Sequence, residues 1–125
     1  MNKEKFSIKK RIKSFKYAFN GLRILIREEH NARIHLFAMI CVLVLGGLLK
    51  ISIYEWTAVL FAIGIVISSE IFNSAIENIA DFISKERREE IKRIKDLAAA
   101  GVLVCALTAL LIGLIVFVPK LIDLL

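Results

Sequence analysis

The sequence predicts an all-α integral membrane protein with three transmembrane helices and an N-terminal amphipathic surface helix, forming a single domain over residues 1–125. Hydrophobic residues make up 58% of the chain, which has one proline and six glycines. This composition is too apolar for an ordinary soluble domain. The apolar residues are concentrated in three segments, and most basic residues lie outside them. A helix needs about 20 apolar residues to cross a bilayer.

Residues 1–30 form the predicted surface helix. Large apolar side chains recur at three- to four-residue spacing, and lysines and arginines fill much of the rest; the apolar set is Ile8, Ile12, Phe15, Phe19, Leu22 and Ile26. Such a helix lies in the headgroup region. It either anchors the protein to anionic lipid or also helps to hold a phosphorylated substrate, and the pattern leaves both open. We expect no nucleic-acid partner, because a recognition domain would have to fold from one membrane-bound helix.

The three predicted spans are residues 34–53, 56–83 and 97–118, with a loop over residues 84–96. The first is interrupted only by His35 and Lys50. In the second, the helical pattern continues beyond Glu70, so its end projects from the hydrocarbon or lines a polar interior. The third reaches spanning length outright.

Basic residues predict the orientation of these spans. Ten lysines and arginines precede the first span and six lie in the loop after the second, whereas the connection between the first two spans has only Lys50 beside it. By the positive-inside rule, the N-terminus and the second loop are cytoplasmic. The charged N-terminal segment lacks the apolar block of a secretory leader, so we expect no cleavable signal peptide.

A polar stripe follows one face of the second predicted span. Glu70, Glu77 and Asp81 fall within roughly 40° of one another, and Asn73 and Ser74 flank them within about 60°. Carboxylates inside a membrane are costly and usually functional. Glu70 lies about 16 Å along the helix from Asp81, on the membrane side, which favours a function for it. Asp81, close to the basic loop, is equally consistent with an interfacial ion pair.

The stripe is suited to phosphoryl transfer. Two carboxylates and an amide on one rigid face can bind Mg²⁺ through oxygen, and a further carboxylate where water is scarce can act as a general base toward an alcohol. Lys95, Asp96 and Glu29 lie at the same end of the spans, where a metal-bound polyphosphate would need them. No P-loop and no G-x-G-x-x-G pattern occurs. His30 and His35 are interpreted as lone interfacial residues.

A small oligomeric transporter or channel is the alternative of another class. In it, an intramembrane Glu70 would bind a cation or a proton. This alternative makes no use of Glu29, Glu77, Lys95 and Asp96, and it predicts that magnesium and ATP are irrelevant.

The run from Glu70 to Asp81 reads E-x-x-N-S-A-I-E-x-x-x-D, and Lys95-Asp96 precedes a small-residue stretch, Ala98 to Gly101. Together with Gly21-Leu22-Arg23, and with Glu29 four residues before Arg33, this resembles the signature of the prokaryotic diacylglycerol kinase and undecaprenol kinase family. The resemblance extends from about Lys10 to Val118. It implies an ATP- and Mg²⁺-dependent lipid kinase in the bacterial cell membrane, assembled as a homotrimer with active sites shared between subunits.

The resemblance also implies roles for individual residues. Glu70 would be the general base that takes the proton of the lipid hydroxyl, with Asn73 and Ala99 in the lipid site and Ser74 and Asp81 in support. Glu29 and Glu77 would hold Mg²⁺. The implied ATP contacts are Lys10, Tyr17, Glu29, Glu77, Glu86, Lys95 and Asp96. Lys10 stands where diacylglycerol kinases carry arginine, which keeps the charge and loses the planar fork.

The expected lipid rests on departures from one branch of the family. Diacylglycerol kinases of the Gram-negative type have glutamine and an acid where this chain has Ile34 and His35, and serine where it has Ala99. The run from Arg33 to Leu36 instead resembles the Gram-positive branch, which phosphorylates undecaprenol to its monophosphate. The resemblance thus favours undecaprenol, with diacylglycerol, giving phosphatidic acid, as the alternative. A catalytically dead member is disfavoured by the intact acidic set.

Overall fold

The structure is a computed structural model that describes residues 5–125. These residues form four helices: α1 (Ile8–Glu28), α2 (His30–Leu48), α3 (Ile53–Ile83) and α4 (Glu89–Leu124). The last three are long and apolar enough to cross a membrane. The predicted all-α architecture with three candidate spans is confirmed. Helix α1 lies within residues 1–30, for which a surface helix was predicted, and residues 1–4 lie outside the described residues.

The first span ends earlier than the predicted range, 34–53, because a new helix begins within that range. Helix α2 stops at Leu48, and Lys50 adopts a left-handed backbone with φ of 51°. Ser52 then caps α3: its Oγ accepts from the N–H of Glu55, whose carboxylate accepts from the N–H of Ser52. This reciprocal capping box fixes the start of α3. The predicted C-terminal boundary was wrong by five residues, 53 against 48.

The predicted loop over residues 84–96 is also shorter in the structure. Helix α4 begins at Glu89, with two glutamates in its first turn, where acidic side chains favour a helix N-terminus. Lys92 and Asp96 add an ion pair at i,i+4 spacing, 2.6 Å between Nζ and Oδ2. Lys95 and Asp96 therefore lie on a rigid helix and not in a loop. At its other end α4 continues past the predicted limit, through Pro119 to Leu124.

Helix α3 is the centre of the packing. It packs along α4, more lightly against α2, and against part of α1. At the end of the α2–α3 turn, a buried cluster joins this turn to α4; its members are Ile51, Val59, Val116 and Phe117. Beside it, Lys120 Nζ lies 3.1 Å from Glu55 Oε1. This cluster fixes one end of the bundle and leaves the polar stripe at the other.

Large apolar side chains are exposed on every spanning helix. Phe37 on α2, Phe61 on α3 and Ile115 on α4 are each more than 70% exposed. Apolar surface on all sides is expected of helices whose outer faces contact lipid or another subunit.

Candidate active site

The polar stripe continues the buried face of α3. Val59, Ala62 and Val66 are buried at three- to four-residue spacing, and the same spacing then brings in Glu70 and Ser74. Glu70 is 3% exposed and Ser74 is 7% exposed. The helix thus places a carboxylate and a hydroxyl in the row that elsewhere holds aliphatic side chains. A buried carboxylate is stable only if other groups compensate for its lost hydration.

His35 of α2 faces Glu70. Its Nε2 lies 3.1 Å from Glu70 Oε1, and the imidazole is 27% exposed. The contact is close but its angle does not make a hydrogen bond, so within residues 5–125 this carboxylate oxygen is buried without a hydrogen-bond partner. The interpretation of His35 as a lone interfacial residue was wrong. Sequence periodicity could not pair the two residues, because they belong to different helices.

An apolar cavity reaches His35. It has a volume of about 350 Å³ and is lined by α2, α3 and α4, and among residues 5–125 His35 is its one ionisable lining residue. Val66 and Ile67 line its wall on α3, and Glu70 follows them one turn later on the same face. Apart from His35 the lining consists of aliphatic residues, Met39, Phe117 and a glycine. The imidazole that contacts Glu70 therefore lines a space suited to a hydrocarbon chain.

A second polar group lies one to two turns further along α3. Glu29 is the single residue between α1 and α2, with an extended backbone (φ −104°, ψ 112°). Its Oε1 accepts a hydrogen bond of 3.1 Å from Ser74 Oγ. Asn73 Nδ2 donates to Glu77 Oε1 at 3.4 Å. The helix break thus brings Glu29, distant in sequence, onto the polar stripe.

The oxygen atoms of this group match what Mg²⁺ binds. Glu29 and Glu77 offer carboxylates, and the buried Asn73 Oδ1 has no hydrogen-bond partner among residues 5–125. Over the same residues, no three His, Cys, Asp or Glu side chains gather closely enough to enclose a metal alone. Mg²⁺ typically uses one or two carboxylates and takes its other ligands from water and phosphate.

Asp81 and Lys95 connect α3 to α4. Lys95 Nζ lies 2.6 Å from Asp81 Oδ1, and the side chains are 38% and 52% exposed. The interfacial ion pair considered for Asp81 is therefore present. An exposed pair of this kind contributes about 0–1 kcal/mol to stability. It also holds the ammonium group of Lys95 one turn beyond Glu77.

The remaining residues that the resemblance implies lie on α1, on α4 and in the connection between α3 and α4. Tyr17 on α1 is 69% exposed, Glu86 is 81% exposed with Oε2 3.7 Å from Arg88, and Ala99 is exposed on α4. Lys10 lies in the first turn of α1, where its carbonyl accepts from Ser14 Oγ at 2.9 Å. In the described part of one chain, no hydrogen bond or ion pair joins Tyr17 or Glu86 to Glu29, Glu70 or Glu77.

Residues 16–117 match the family described as prokaryotic diacylglycerol kinase. The chain belongs to this family. It is similar to the undecaprenol kinase of Bacillus subtilis, with 39% identity over 87% of this chain and 89% of that protein. It is 30% identical to the diacylglycerol kinase of Synechocystis sp., over 89% of this chain and 64% of that protein. It is also 30% identical to the diacylglycerol kinase of Escherichia coli K12, over 80% and 82%.

Membership of the prokaryotic diacylglycerol kinase family decides between the function classes left open by the sequence. The chain is a membrane lipid kinase, a phosphotransferase with ATP as phosphoryl donor. The transporter alternative is not supported.

Proposed function

We propose that this protein transfers the γ-phosphoryl group of ATP to the hydroxyl of undecaprenol, giving undecaprenyl monophosphate. One observation carries the proposal: Glu70, a carboxylate that is 3% exposed, lies 3.1 Å from His35, and His35 lines an apolar cavity. A lipid alcohol has the matching form, an apolar body with one hydroxyl at its head. The cavity can take the first part of the chain, and the open side of the helix bundle leaves the rest in the bilayer.

Glu70 acts as the general base. Its carboxylate accepts the hydroxyl proton while the lipid oxygen attacks the γ-phosphorus, and the bond from that phosphorus to the oxygen bridging it to the β-phosphate breaks, releasing ADP. General-base catalysis of this kind typically contributes roughly 10²–10⁴-fold in rate. Asn73, one turn further along α3, lies beside the reacting hydroxyl, and Ala99 lines the lipid site.

The nucleotide lies beyond Glu70, on the side of Glu29 and Glu77. These two carboxylates hold Mg²⁺, which when bound neutralises charge on the β- and γ-phosphates. Ser74 fixes the carboxylate of Glu29 through their 3.1 Å hydrogen bond. Asp81 holds the ammonium group of Lys95 toward the phosphates. The other ATP contacts are Lys10, Tyr17, Glu86 and Asp96.

The assembly is a homotrimer in the bacterial cell membrane, with the N-terminus and residues 84–88 in the cytoplasm. The basic residues before α2 and after α3 support this orientation. Helix α1 lies in the headgroup region. The exposed apolar faces of the spanning helices support contact between subunits, and the exposed side chains of Tyr17 and Glu86 are accessible to a neighbouring subunit.

Undecaprenol is favoured over diacylglycerol by two observations. The similarity to the Bacillus subtilis undecaprenol kinase, at 39%, exceeds the 30% to the two diacylglycerol kinases. His35, which the Gram-negative pattern replaces with an acid, lies directly against Glu70. Diacylglycerol is the second candidate, because those two relatives carry that name and either lipid presents a primary hydroxyl.

The test is a lipid panel. Purified protein reconstituted in vesicles is given labelled ATP, Mg²⁺ and either undecaprenol or diacylglycerol, and kcat/KM is measured for each. We expect the higher kcat/KM with undecaprenol, no product without Mg²⁺, and almost none from Glu70→Gln. A higher kcat/KM with diacylglycerol would reverse the lipid assignment, and full activity in Glu70→Gln would remove the proposed base.

A further inference from the structure

We propose that His35 is the positioning residue of Glu70, donating a hydrogen bond from Nε2 that holds the carboxylate oriented toward the lipid hydroxyl. The inference rests on the proposed function, in which Glu70 is the base. It concerns a residue on a different helix, at the point where the apolar cavity meets the polar stripe.

The first argument is that, in the described part of the chain, a buried carboxylate oxygen of Glu70 lacks a hydrogen-bond donor. Its Oε1 is buried and, within residues 5–125, has no hydrogen-bond partner. An ionised carboxylate in this state is costly unless a donor is supplied. His35 Nε2, 3.1 Å away, is already at hydrogen-bond distance and fails only in angle. Rotation of the imidazole about its side-chain torsions changes the direction of this N–H.

The second argument is the chemistry of the imidazole. Neutral histidine with its proton on Nε2 donates one hydrogen bond and keeps Nδ1 as an acceptor. It can therefore orient a carboxylate without transferring a proton to it, which would disable the base. A general base works only when its lone pair points at the proton to be removed, so a fixed carboxylate raises kcat.

The third argument is position. His35 lines the cavity with its half-buried ring, and Met39 lines the same wall one turn later. A lipid that fills the cavity excludes water from the gap between His35 and Glu70. Loss of water strengthens the hydrogen bond when substrate is bound, so the effect of His35 falls on kcat and not on binding of MgATP.

The experiment uses full-length protein in vesicles with undecaprenol, ATP and Mg²⁺. His35→Leu removes the donor, and His35→Gln places an amide N–H at nearly the same reach. His30→Leu is the matched control, since His30 is an exposed histidine at the start of the same helix. We expect kcat to fall roughly 10- to 100-fold in His35→Leu, with the KM for MgATP unchanged. His35→Gln should recover most of the loss, and His30→Leu should match the unaltered protein.

A double-mutant cycle tests whether His35 acts through Glu70. In the Glu70→Gln background, His35→Leu should cause no further loss, because the group that it positions is gone. Normal kcat in His35→Leu, an equal loss in His35→Gln with an unchanged melting temperature, or the same fold-loss in both backgrounds would overturn the inference. Full activity in Glu70→Gln alone would instead overturn the proposed base. If His35→Leu does not fold, His35→Asn, whose amide is too short to reach Glu70, must show the same loss of kcat for the inference to stand.

Discussion

The hydrogen bond from Ser74 to Glu29 gives the sharpest test of the proposed metal site. Ser74→Ala removes a hydroxyl that is buried on α3 and donates at 3.1 Å to a residue 45 positions earlier in the chain. If Glu29 binds Mg²⁺, this hydroxyl orients a metal ligand. If Glu29 is only a helix cap, the hydroxyl serves packing alone.

The magnitude follows from the charge and exposure of the partners. A hydrogen bond to a charged group contributes about 1.5–3 kcal/mol, but Glu29 is half-buried and water can partly replace the lost donor. A loss of about 1–1.4 kcal/mol is therefore expected, which corresponds to a five- to tenfold higher Mg²⁺ concentration at half-maximal activity. Outer partners of metal ligands commonly have effects of about this size or larger.

The assay is lipid kinase activity as a function of free Mg²⁺ at saturating ATP. Ser69→Ala is the matched control: it makes the same change on the same helix, but the Ser69 hydroxyl donates to the carbonyl of Val66 at 2.7 Å. It should leave the Mg²⁺ requirement unchanged. In the Glu29→Gln background, Ser74→Ala should add nothing. An unchanged Mg²⁺ requirement in Ser74→Ala would refute the reasoning.

Three further outcomes are expected. Glu77→Gln should raise the Mg²⁺ concentration needed for nucleotide binding at least tenfold, measured by titration calorimetry. At saturating Mg²⁺, kcat should fall by a smaller factor than this. Unchanged nucleotide binding would remove Glu77 from the metal site. Asp81→Asn should lower the stability by less than about 1 kcal/mol but raise the KM for ATP, because Lys95 loses the carboxylate that holds its ammonium group. An unchanged KM would mean that the Asp81–Lys95 ion pair has a structural role only. Gly46→Ala places a Cβ 2.8 Å from the ring of Trp56 and should destabilise the fold by about 1–3 kcal/mol, measured in denaturant titrations followed by tryptophan fluorescence. The neighbouring Gly47→Ala, whose Cβ meets nothing within 4 Å, should leave the stability unchanged. Equal stabilities of the two variants would contradict the packing at Trp56.

The length of the apolar segments and their helical periodicity predicted most of the fold. A run of apolar residues long enough to cross a bilayer has few alternatives to a helix, so the number of spans followed directly from the sequence. The predicted boundaries of the spans were wrong where short-range hydrogen bonds determine the residue at which a helix begins or ends. The capping box of Ser52 and Glu55 ended the first span early, and glutamates at the start of α4 shortened the loop after residue 83. Neither effect changes the mean hydropathy of a segment.

The polar stripe was predictable because all of its members lie on one helix, where 100° per residue fixes their relative directions. Contacts between helices were not. The pairing of Glu70 with His35, and of Ser74 with Glu29, depends on the register of α3 against α2 and on the break between α1 and α2. Nothing in the spacing of these residues specifies that register. The sequence therefore predicted His35 as a lone interfacial side chain and did not predict its contact with Glu70.

In the proposed site, the break at Glu29 takes the place of a phosphate loop. A phosphate loop wraps backbone N–H groups around the nucleotide, which requires irregular backbone, and within the hydrocarbon such backbone is disfavoured. Here the spanning helices stay regular, and one extended residue between α1 and α2 turns a carboxylate onto the stripe of α3. Side chains from rigid helices then supply what loop backbone supplies elsewhere. Glu29 directly precedes α2, and its carbonyl accepts from the N–H of Arg33 at 3.4 Å, so the register of α2 sets where its carboxylate lies. One residue inserted between Glu29 and His30 should rotate the carboxylate by about 100° about α2 and abolish Mg²⁺-dependent activity while the spans still form.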